Sequence, residues 1–395
     1  MTDHSPARPL TGVRVIELAG IGPGPLAGML LADLGAEVVL IDRPGGPATP
    51  LPQVSDVTSR GKRRIVVDLK HPRGSEVVRR LAAGADALIE GYRPGVAERL
   101  GVGPADCLAV NPQLVYGRMT GWGQDGPLAH AAGHDIGYVA ITGALHAIGR
   151  AGGPPQVPVN YLGDFAGGSM FLALGLVAGI LQARQTGRGQ IVDAAIVDGT
   201  AALQAMTYSL LADGLWTDRR GANFLDTGAP FYDVYETADG RYMAVGALEP
   251  QFYAEFTGIL FAPQEVPADL PAQHDRPRWP ELRQRLAARF AELSQEEWTK
   301  RFSGTDACVA PVLSLLEAPG DPHLAARGTY VTVAGVVQPA PAPRFAAMPH
   351  SGPINAAPPG RIAKLGEHTR EVLTALGFPD VAELLADGAV IQCSA

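Results

Sequence analysis

A histidine and an aspartate, each preceded by glycine, are the residues whose types and setting suggest catalysis. His134 follows Gly133, and further along the chain Asp164 follows Gly163. Glycine lacks a Cβ and lets the backbone approach a ligand closely. An imidazole and a carboxyl group in one pocket can serve both faces of a carbon atom, because one removes a proton and the conjugate acid of the other returns one. The pair therefore predicts proton transfer at carbon, if the fold brings the two side chains together.

Both residues also have a purely structural interpretation. Asp164 precedes a long apolar segment, Phe165 to Arg184, and would make a good N-cap of a helix there. Backbone N–H groups left free at that N-cap would be placed to stabilise an oxyanion. His134, taken alone, fits a buried histidine that is hydrogen-bonded for structural reasons.

Alternating strand and helix patterns must position these residues. Val13 to Leu18 and Glu37 to Asp42 are short, apolar and β-branched, which is typical of buried strands, and Leu26 to Leu34 between them favours a helix. This βαβ unit predicts a parallel sheet with a right-handed crossover. Similar strand patterns recur further along, so the predicted fold class is α/β with a Rossmann-like large domain.

The glycine-rich turn after the first strand is compatible with a nicotinamide site. Gly22 and Gly24 open the helix, and Asp42 ends the second strand at about the spacing of a ribose-binding acid. However, the third glycine of that motif is missing, and Pro23 and Pro25 remove two amide donors from the phosphate cradle. A tight strand-to-helix turn explains these glycines better.

Basic residues follow several of the predicted strands. Arg43, Lys70, Arg93 and Arg99 stand in loops at or near the carboxyl ends of strands, which is where ligands bind to open α/β sheets. Any one of them fits a solvated surface charge. Together they favour a phosphate-rich ligand.

Bulk properties exclude several other classes. A net charge of −8 argues against nucleic acid as the main partner. The three cysteines are widely spaced, form no metal-ligand pattern and fit a reducing compartment. The first six residues show no secretory pattern, and the longest apolar run, Met170 to Leu181, is too short to span a bilayer. We therefore expect a cytoplasmic protein without membrane insertion.

A change of pattern near residue 226 predicts a second domain. Two strands around an Asp239-Gly240 turn are followed by helical segments, which is typical of a smaller α+β domain over 226–330. Residues 337–359 are rich in proline and predict a linker. The large domain is therefore expected to comprise 1–225 and 331–395, with the small domain inserted into it.

Four motifs resemble the family III CoA transferases and their racemase relatives. They are GVRVIELA at 12–19, AEVVLIDRP at 36–44, GWGQDGP at 121–127 and LGEHT at 365–369, and they span nearly the whole chain. AGHDI at 132–136, together with LGD at 162–164, is similar to the α-methylacyl-CoA racemases in particular.

This resemblance implies an interlocked homodimer whose active sites lie between the large domain of one subunit and the small domain of the other. It makes His134 and Asp164 the two catalytic bases, with Glu249 of the small domain pairing with the histidine. The implied CoA contacts are Arg43, Val67, Asp68, Leu69, Lys70, Gly91, Tyr92, Arg93, Arg99, Gly133, Asp135, Ile136, Gly137, Tyr138 and Gly163.

The implied activity is racemisation of 2-methylacyl-CoA thioesters by 1,1-proton transfer through an enolate. CoA would be part of the substrate, and no metal or redox cofactor is expected. The alternative is a family III CoA transferase, in which Asp164 would act as the nucleophile and carry the acyl group as an anhydride. His134 favours the racemase, since a transferase does not need a second base at that place.

Overall fold

The computed structural model describes residues 8–46, 56–345 and 358–393. The first six residues, on which the expectation of no secretory signal rests, and part of the predicted linker lie outside these ranges. The strands are β1 (Arg14–Leu18), β2 (Glu37–Asp42), β3 (Arg63–Val67), β4 (Ala87–Glu90), β5 (Val115–Thr120), β6 (Gln190–Ala195), β7 (Tyr232–Glu236), β8 (Tyr242–Gly246), β9 (Val309–Pro311), β10 (Tyr330–Val333), β11 (Val336–Pro339) and β12 (Val390–Ile391).

Helices connect most of these strands. The α-helices are α1 (Pro23–Asp33), α2 (Gly74–Ala82), α3 (Val96–Arg99), α4 (Pro104–Val110), α5 (Asp135–Ile141), α6 (Ala144–Ala147), α7 (Met170–Thr186), α8 (Ile196–Ala202), α9 (Ala205–Ala212), α10 (Pro250–Phe261), α11 (Trp279–Phe290), α12 (Gln295–Phe302), α13 (Pro322–Arg327), α14 (Thr369–Ala375) and α15 (Val381–Ala386). Short 3-10 helices occupy Val57–Ser59, Arg276–Arg278 and Ala318–Gly320, and a π-helix, Tyr161–Ser169, leads directly into α7.

The predicted Rossmann-like sheet is confirmed. Its strand order is β12-β3-β2-β1-β4-β5-β6, with β1 to β6 parallel and β12 antiparallel to β3. The order reverses between β1 and β4, and the crevice outside the carboxyl ends of these two strands is where open α/β sheets bind ligands. The predicted fold thus places the loops after β1 and β4 at the expected binding position.

The carboxyl-terminal segment stabilises the β3 edge of this sheet. β12 pairs with β3, and the Thr369 hydroxyl accepts a hydrogen bond from the Val66 backbone N–H at 3.1 Å. His368 Nδ1 accepts from the Arg64 backbone N–H at 3.1 Å. Part of the LGEHT motif therefore has a structural role.

Two compact units divide the chain. The large unit comprises Met1–Thr142, Val159–Leu203 and Gly320–Ala395, and the small unit comprises Gly143–Pro158 and Gln204–Pro319. In the small unit a three-stranded antiparallel sheet, β7-β8-β9, packs with α10 to α12 around aromatic residues such as Phe256 and Phe290.

This division differs at its edges from the predicted domain ranges. Residues 143–158 and 204–225 group with the small unit, and 320–330 with the large one. Long-range contacts explain the difference for 143–158. Arg220 donates hydrogen bonds to the carbonyl oxygens of His146 and Gly153, each at 2.6 Å, and Arg150 pairs with the buried Asp233 of β7.

Candidate active site

Two adjoining cavities open at the carboxyl ends of the parallel strands of the large unit. The first has a volume of about 320 Å³ and the second about 690 Å³. Both are lined by Ile21 from the loop after β1 and by Gly91 and Tyr92 from the loop after β4. The shared wall lies at the point where the strand order reverses.

The first cavity brings the two predicted bases together. His134 and Asp164 both line it, although they come from different elements. Apolar and aromatic side chains make up much of the remaining wall, so His134 and Asp164 face a largely apolar chamber. These neighbours include Ile21, Pro23, Met119, Trp122, Tyr138 and Ile196.

Asp164 lies in the first turn of the π-helix and is half-buried. Its Oδ2 accepts a hydrogen bond from Asn160 Nδ2 at 3.2 Å, and its backbone N–H donates to Asp135 Oδ1 at 2.7 Å. Burial raises the pKa of the Asp164 carboxyl, and the Asp135 charge raises it further, whereas Asn160 and His134 lower it. The net shift is upward, which keeps Asp164 protonated to a higher pH than an exposed aspartate.

The N-cap predicted at Asp164 is therefore wrong. The helix begins three residues earlier, at Tyr161, and the Phe165 N–H bonds to the Asn160 carbonyl oxygen five residues back. The Asp164 N–H is also occupied by Asp135, so it is not free to bind an oxyanion. Runs of π-helix are rare and are found frequently at functional sites.

His134 stands immediately before α5 and has an exposed side chain in an extended backbone conformation. Behind it, the ring of Tyr138 packs edge-on against Trp122, with 4.6 Å between centroids. Gly121 and Gly133 make this packing possible, since a Cβ at either position would overlap the Tyr138 ring. Burial and the Asp164 charge raise the pKa of the Tyr138 hydroxyl, so it remains a neutral donor beside the cavity.

The second cavity contains many of the residues predicted to bind CoA. Arg43 and Lys70 are exposed at its rim, and Arg93 extends the basic surface into the first cavity. The predicted contacts that line it are Arg43, Val67, Asp68, Leu69, Lys70, Gly91 and Tyr92.

The remaining predicted contacts have other positions. Gly133 and Tyr138 line the first cavity, whereas Arg99 is exposed on α3 and lines neither. Asp135 and Gly163 pack against each other, and Ile136 is exposed. Gly137 also lines neither cavity.

Asp42, the candidate ribose-binding acid of the rejected nicotinamide hypothesis, is engaged elsewhere. Both of its oxygens accept hydrogen bonds from Arg64, at 2.9 and 3.0 Å. The basic run around Arg64 is paired in the same way. Arg60 bonds Asp33, Lys62 bonds Glu17, and Arg63 bonds Glu37.

Gly22 is a site residue that the sequence interpretation missed. It has a φ of +75°, and a Cβ there would lie 3.2 Å from Asp164 Oδ2. The glycine-rich turn thus makes room for the Asp164 carboxylate as well as turning the chain. The glycine-rich turn is visible in the sequence, but no residue near Gly22 in the sequence indicates that Asp164 lies next to this glycine in the fold.

Glu249 belongs to the small unit. It is the N-cap residue of α10, in an extended backbone conformation, and its side chain is exposed. An exposed carboxylate at a helix start is available to a partner, and its predicted pairing with a histidine stays a prediction.

Comparison with known proteins assigns the family. A model of CoA-transferase family III matches residues 10–369. The chain belongs to CoA-transferase family III. Its four recognised motifs all fall within the matched range.

Members of family III with different names are similar to this chain. The α-methylacyl-CoA racemase of Mus musculus is 44% identical over 371 residues, covering 93% of this chain and 93% of the relative. The succinyl-CoA:glutarate CoA-transferase of Mus musculus is 31% identical over 411 residues, covering 99% and 92%. Among solved structures, a CAIB/BAIF family protein from Brucella suis has a TM-score of 0.78 at 26% identity, covering 94% of this chain and all of that chain.

Proposed function

We propose that the protein is a racemase that inverts the α-carbon of 2-methylacyl-CoA thioesters. The observation that carries this proposal is the cavity lined by both His134 and Asp164. The higher identity to a racemase than to a transferase of the same family supports the same choice.

The reaction is a 1,1-proton transfer. Neutral His134 takes the α-proton from one face, so the C–H bond breaks as an N–H bond forms, and the electron pair passes into the thioester enolate. Protonated Asp164 then delivers its proton to the opposite face, and the products are imidazolium and carboxylate. The reverse direction begins from that second state, so one proton is shared by the pair and its macroscopic pKa values belong to both groups.

The environment of Asp164 suits the acid role. Burial raises its pKa, which increases the fraction of the pair in which the carboxyl rather than the imidazole holds the proton. The reaction moves only protons, so the proposal needs no metal or redox cofactor.

The CoA part of the substrate is assigned to the second cavity. With the acyl group beside His134 and Asp164, the CoA moiety would pass the shared wall at Tyr92 and extend over the strand ends. Arg43 and Lys70 line that cavity and would bind the phosphate groups of CoA.

The rival transferase would use Asp164 alone. Its carboxylate would attack the thioester and form an acyl anhydride, which needs an ionised nucleophile. Asp164 by itself is therefore compatible with either activity. What separates them is His134, since a transferase gives no reason for a second base in the same cavity.

Deuterium incorporation separates the two activities. A single epimer of a 2-methylacyl-CoA is incubated with the protein in D2O, and chirality and α-deuterium content are followed together. We expect epimerisation with deuterium gain, and loss of both, by at least roughly 10²-fold, in His134→Ala and in Asp164→Ala. Acyl exchange onto an added carboxylate without α-exchange would identify a transferase instead.

Three finer points are part of the proposal. The active form would be an interlocked homodimer in which Glu249 of a second copy orients His134 and stabilises its imidazolium. The protein would act in the cytoplasm. Its substrate would reach it from the aqueous phase, without membrane insertion.

A further inference from the structure

The side chain of Asp135 has an arrangement that CoA binding does not explain. It is only 8% exposed, and its Oδ1 accepts the backbone N–H of Asp164 at 2.7 Å. Its Oδ2 is also buried and has no hydrogen-bond partner among the described residues. A buried carboxylate with one oxygen unpartnered is costly, and such a group calls for a reason.

The site is built to admit this carboxylate. Gly163 is buried against it, and a Cβ at residue 163 would overlap Asp135 Oδ1. Asp135 is also the residue directly after His134 and the first residue of α5. One side chain therefore connects the segment that carries the first base to the helix that carries the second.

We propose that Asp135 is a positioning residue that joins the two catalytic segments and holds a buried negative charge beside Asp164. This inference rests on the proposed racemase function for its kinetic consequence. Its geometric part concerns only the contact between α5 and the π-helix.

The charge of Asp135 acts on Asp164 in a setting with few competitors. His134 and Tyr138 also interact electrostatically with the Asp164 carboxyl, and Arg93 lines the same cavity and acts on Tyr138. Charged groups on the other elements packed against the π-helix either have partners or are exposed. Asp33 of α1 pairs with Arg60, Arg118 of β5 pairs with Glu90 and Glu98, and Arg184 of α7 pairs with Asp86. Asp193 of β6 accepts a hydrogen bond from the Gln124 N–H, and Asp198 of α8 is exposed.

The direction in which the pH profile shifts follows from the number of protons that His134 and Asp164 hold together. The pair is active when it holds one proton, and activity is lost at low pH when both groups are protonated. A negative charge beside Asp164 raises its pKa and moves this acid limb to higher pH. Removing the charge must move the limb to lower pH.

Asp135→Asn separates charge from shape. The amide oxygen can still accept the Asp164 N–H, so we expect kcat/KM at the optimum to stay within about tenfold of the wild-type value while the acid limb moves to lower pH. Asp135→Ala loses the hydrogen bond as well, and we expect a further loss of roughly tenfold or more at every pH. Asp198→Asn is the matched control, since it removes one negative charge from α8 and should leave the limb unchanged.

A measurement independent of activity completes the test. The 13C resonance of the Asp164 carboxyl, assigned by its absence in Asp164→Asn, is titrated in the wild type, in Asp135→Asn and in Asp198→Asn. We expect a lower midpoint in Asp135→Asn only. An unchanged midpoint and an unchanged limb in folded Asp135→Asn would overturn the inference, whatever the rate. If the wild type failed to epimerise, the proposed function would fall, and the titration would still decide the role of Asp135.

Discussion

At the scale of residues, the candidate site depends on how closely other groups approach Asp164. The Asp164 carboxylate lies close to Gly22 and accepts a hydrogen bond from Asn160. The Asp164 backbone N–H donates a hydrogen bond to the Asp135 carboxylate. Burial and charge at this spot raise the pKa of the Asp164 carboxyl, whereas His134 remains exposed to the cavity. The two proposed bases therefore have different environments, as an acid and a base that act in turn would require.

Gly22→Ala should damage activity through this approach. The added Cβ would lie 3.2 Å from Asp164 Oδ2, and the φ of +75° is unfavourable for alanine. A displacement of a catalytic group on the order of 1 Å can cost about 10²-fold in rate, so we expect kcat/KM for epimerisation to fall by roughly that amount.

Gly12→Ala is the control for this variant. It has a φ of +84°, so alanine there carries similar backbone strain, but among the described residues no atom lies within 4 Å of the position that the added Cβ would take. Both variants should lose a similar amount of stability in thermal unfolding, and only Gly22→Ala should lose activity. Equal activities in the two variants would mean that Gly22 serves the turn alone.

The residue-scale features differ in how far sequence could predict them. The residue types of His134 and Asp164 suggest the proposed proton transfer by themselves, and the motifs around them are specific. Gly22 and the Asp135 side chain act through contacts made between distant parts of the chain. No local pattern encodes such a contact, so only the folded chain brings these residues to the site.

At the scale of elements, the position of α1 matters because the turn before it borders Asp164. A buried ion pair between Lys62 and Glu17 holds α1 in place. Lys62 Nζ bonds both Glu17 oxygens, at 2.8 and 2.6 Å, and the carbonyl oxygen of Pro25 in the first turn of α1 at 2.8 Å. Gly28 of α1 admits the Glu17 carboxylate, since a Cβ at residue 28 would overlap it. Burial raises the pKa of Glu17 to about 7 despite the attraction of Lys62.

Lys62→Met should destabilise the large unit strongly. It removes the cation but leaves Glu17 buried without its partner, and breaking a buried pair in this way costs about 3–5 kcal/mol of unfolding free energy. Chemical denaturation monitored by circular dichroism measures the change.

Lys300→Met provides the comparison. Lys300 pairs with Glu296 on α12, and both side chains are more than two-thirds exposed, at 71% and 78%. Its loss should leave the unfolding free energy almost unchanged, because an exposed ion pair is screened by solvent. A similarly small effect at Lys62 would show that the buried pair contributes little to the stability of α1.

Elements were predicted well where periodicity is distinctive. The β1-α1-β2 unit and the parallel sheet follow from short apolar strands that alternate with helices. The π-helix did not follow, since a 3.6-residue and a wider helix have nearly the same apolar pattern over nine residues. The ends of the small unit were missed because residues such as Arg220 join it through long-range hydrogen bonds.

At the scale of the whole molecule, one helix face in the large unit is apolar, and the described residues of the chain leave it exposed. Leu172, Leu176 and Ile180 of α7 pack into the core, whereas Met170, Leu174, Val177 and Leu181 are exposed. These four recur at helical spacing and form one stripe. Together, the π-helix and α7 form a 26-residue helix, Tyr161–Thr186, and an 18-residue window within it has a mean hydropathy of 1.7. By length and composition alone this helix could cross a membrane.

The longest apolar run of the sequence, Met170 to Leu181, is thus only part of a longer helix. Its core-facing side is buried among β5, β6 and α1, as in the packed helix of a soluble domain. A contiguous exposed apolar stripe marks a protein or membrane contact. The proposed homodimer supplies a second copy to cover it.

Introducing charge into this stripe should disrupt the dimer. Leu174 and Leu181 are 67% and 60% exposed, so glutamate at both positions leaves the core intact while opposing burial against an apolar partner. We expect the wild type to sediment at about twice the chain mass of 41.3 kDa and the double variant Leu174→Glu/Leu181→Glu to sediment as a monomer. Val110→Glu, at an exposed apolar residue on α4, should remain dimeric.

Because the active site is proposed to need Glu249 of a second copy, the monomer should also lose epimerase activity. An unchanged mass in the double variant, together with loss of binding to phospholipid vesicles that the wild type binds, would assign the stripe to a membrane surface instead.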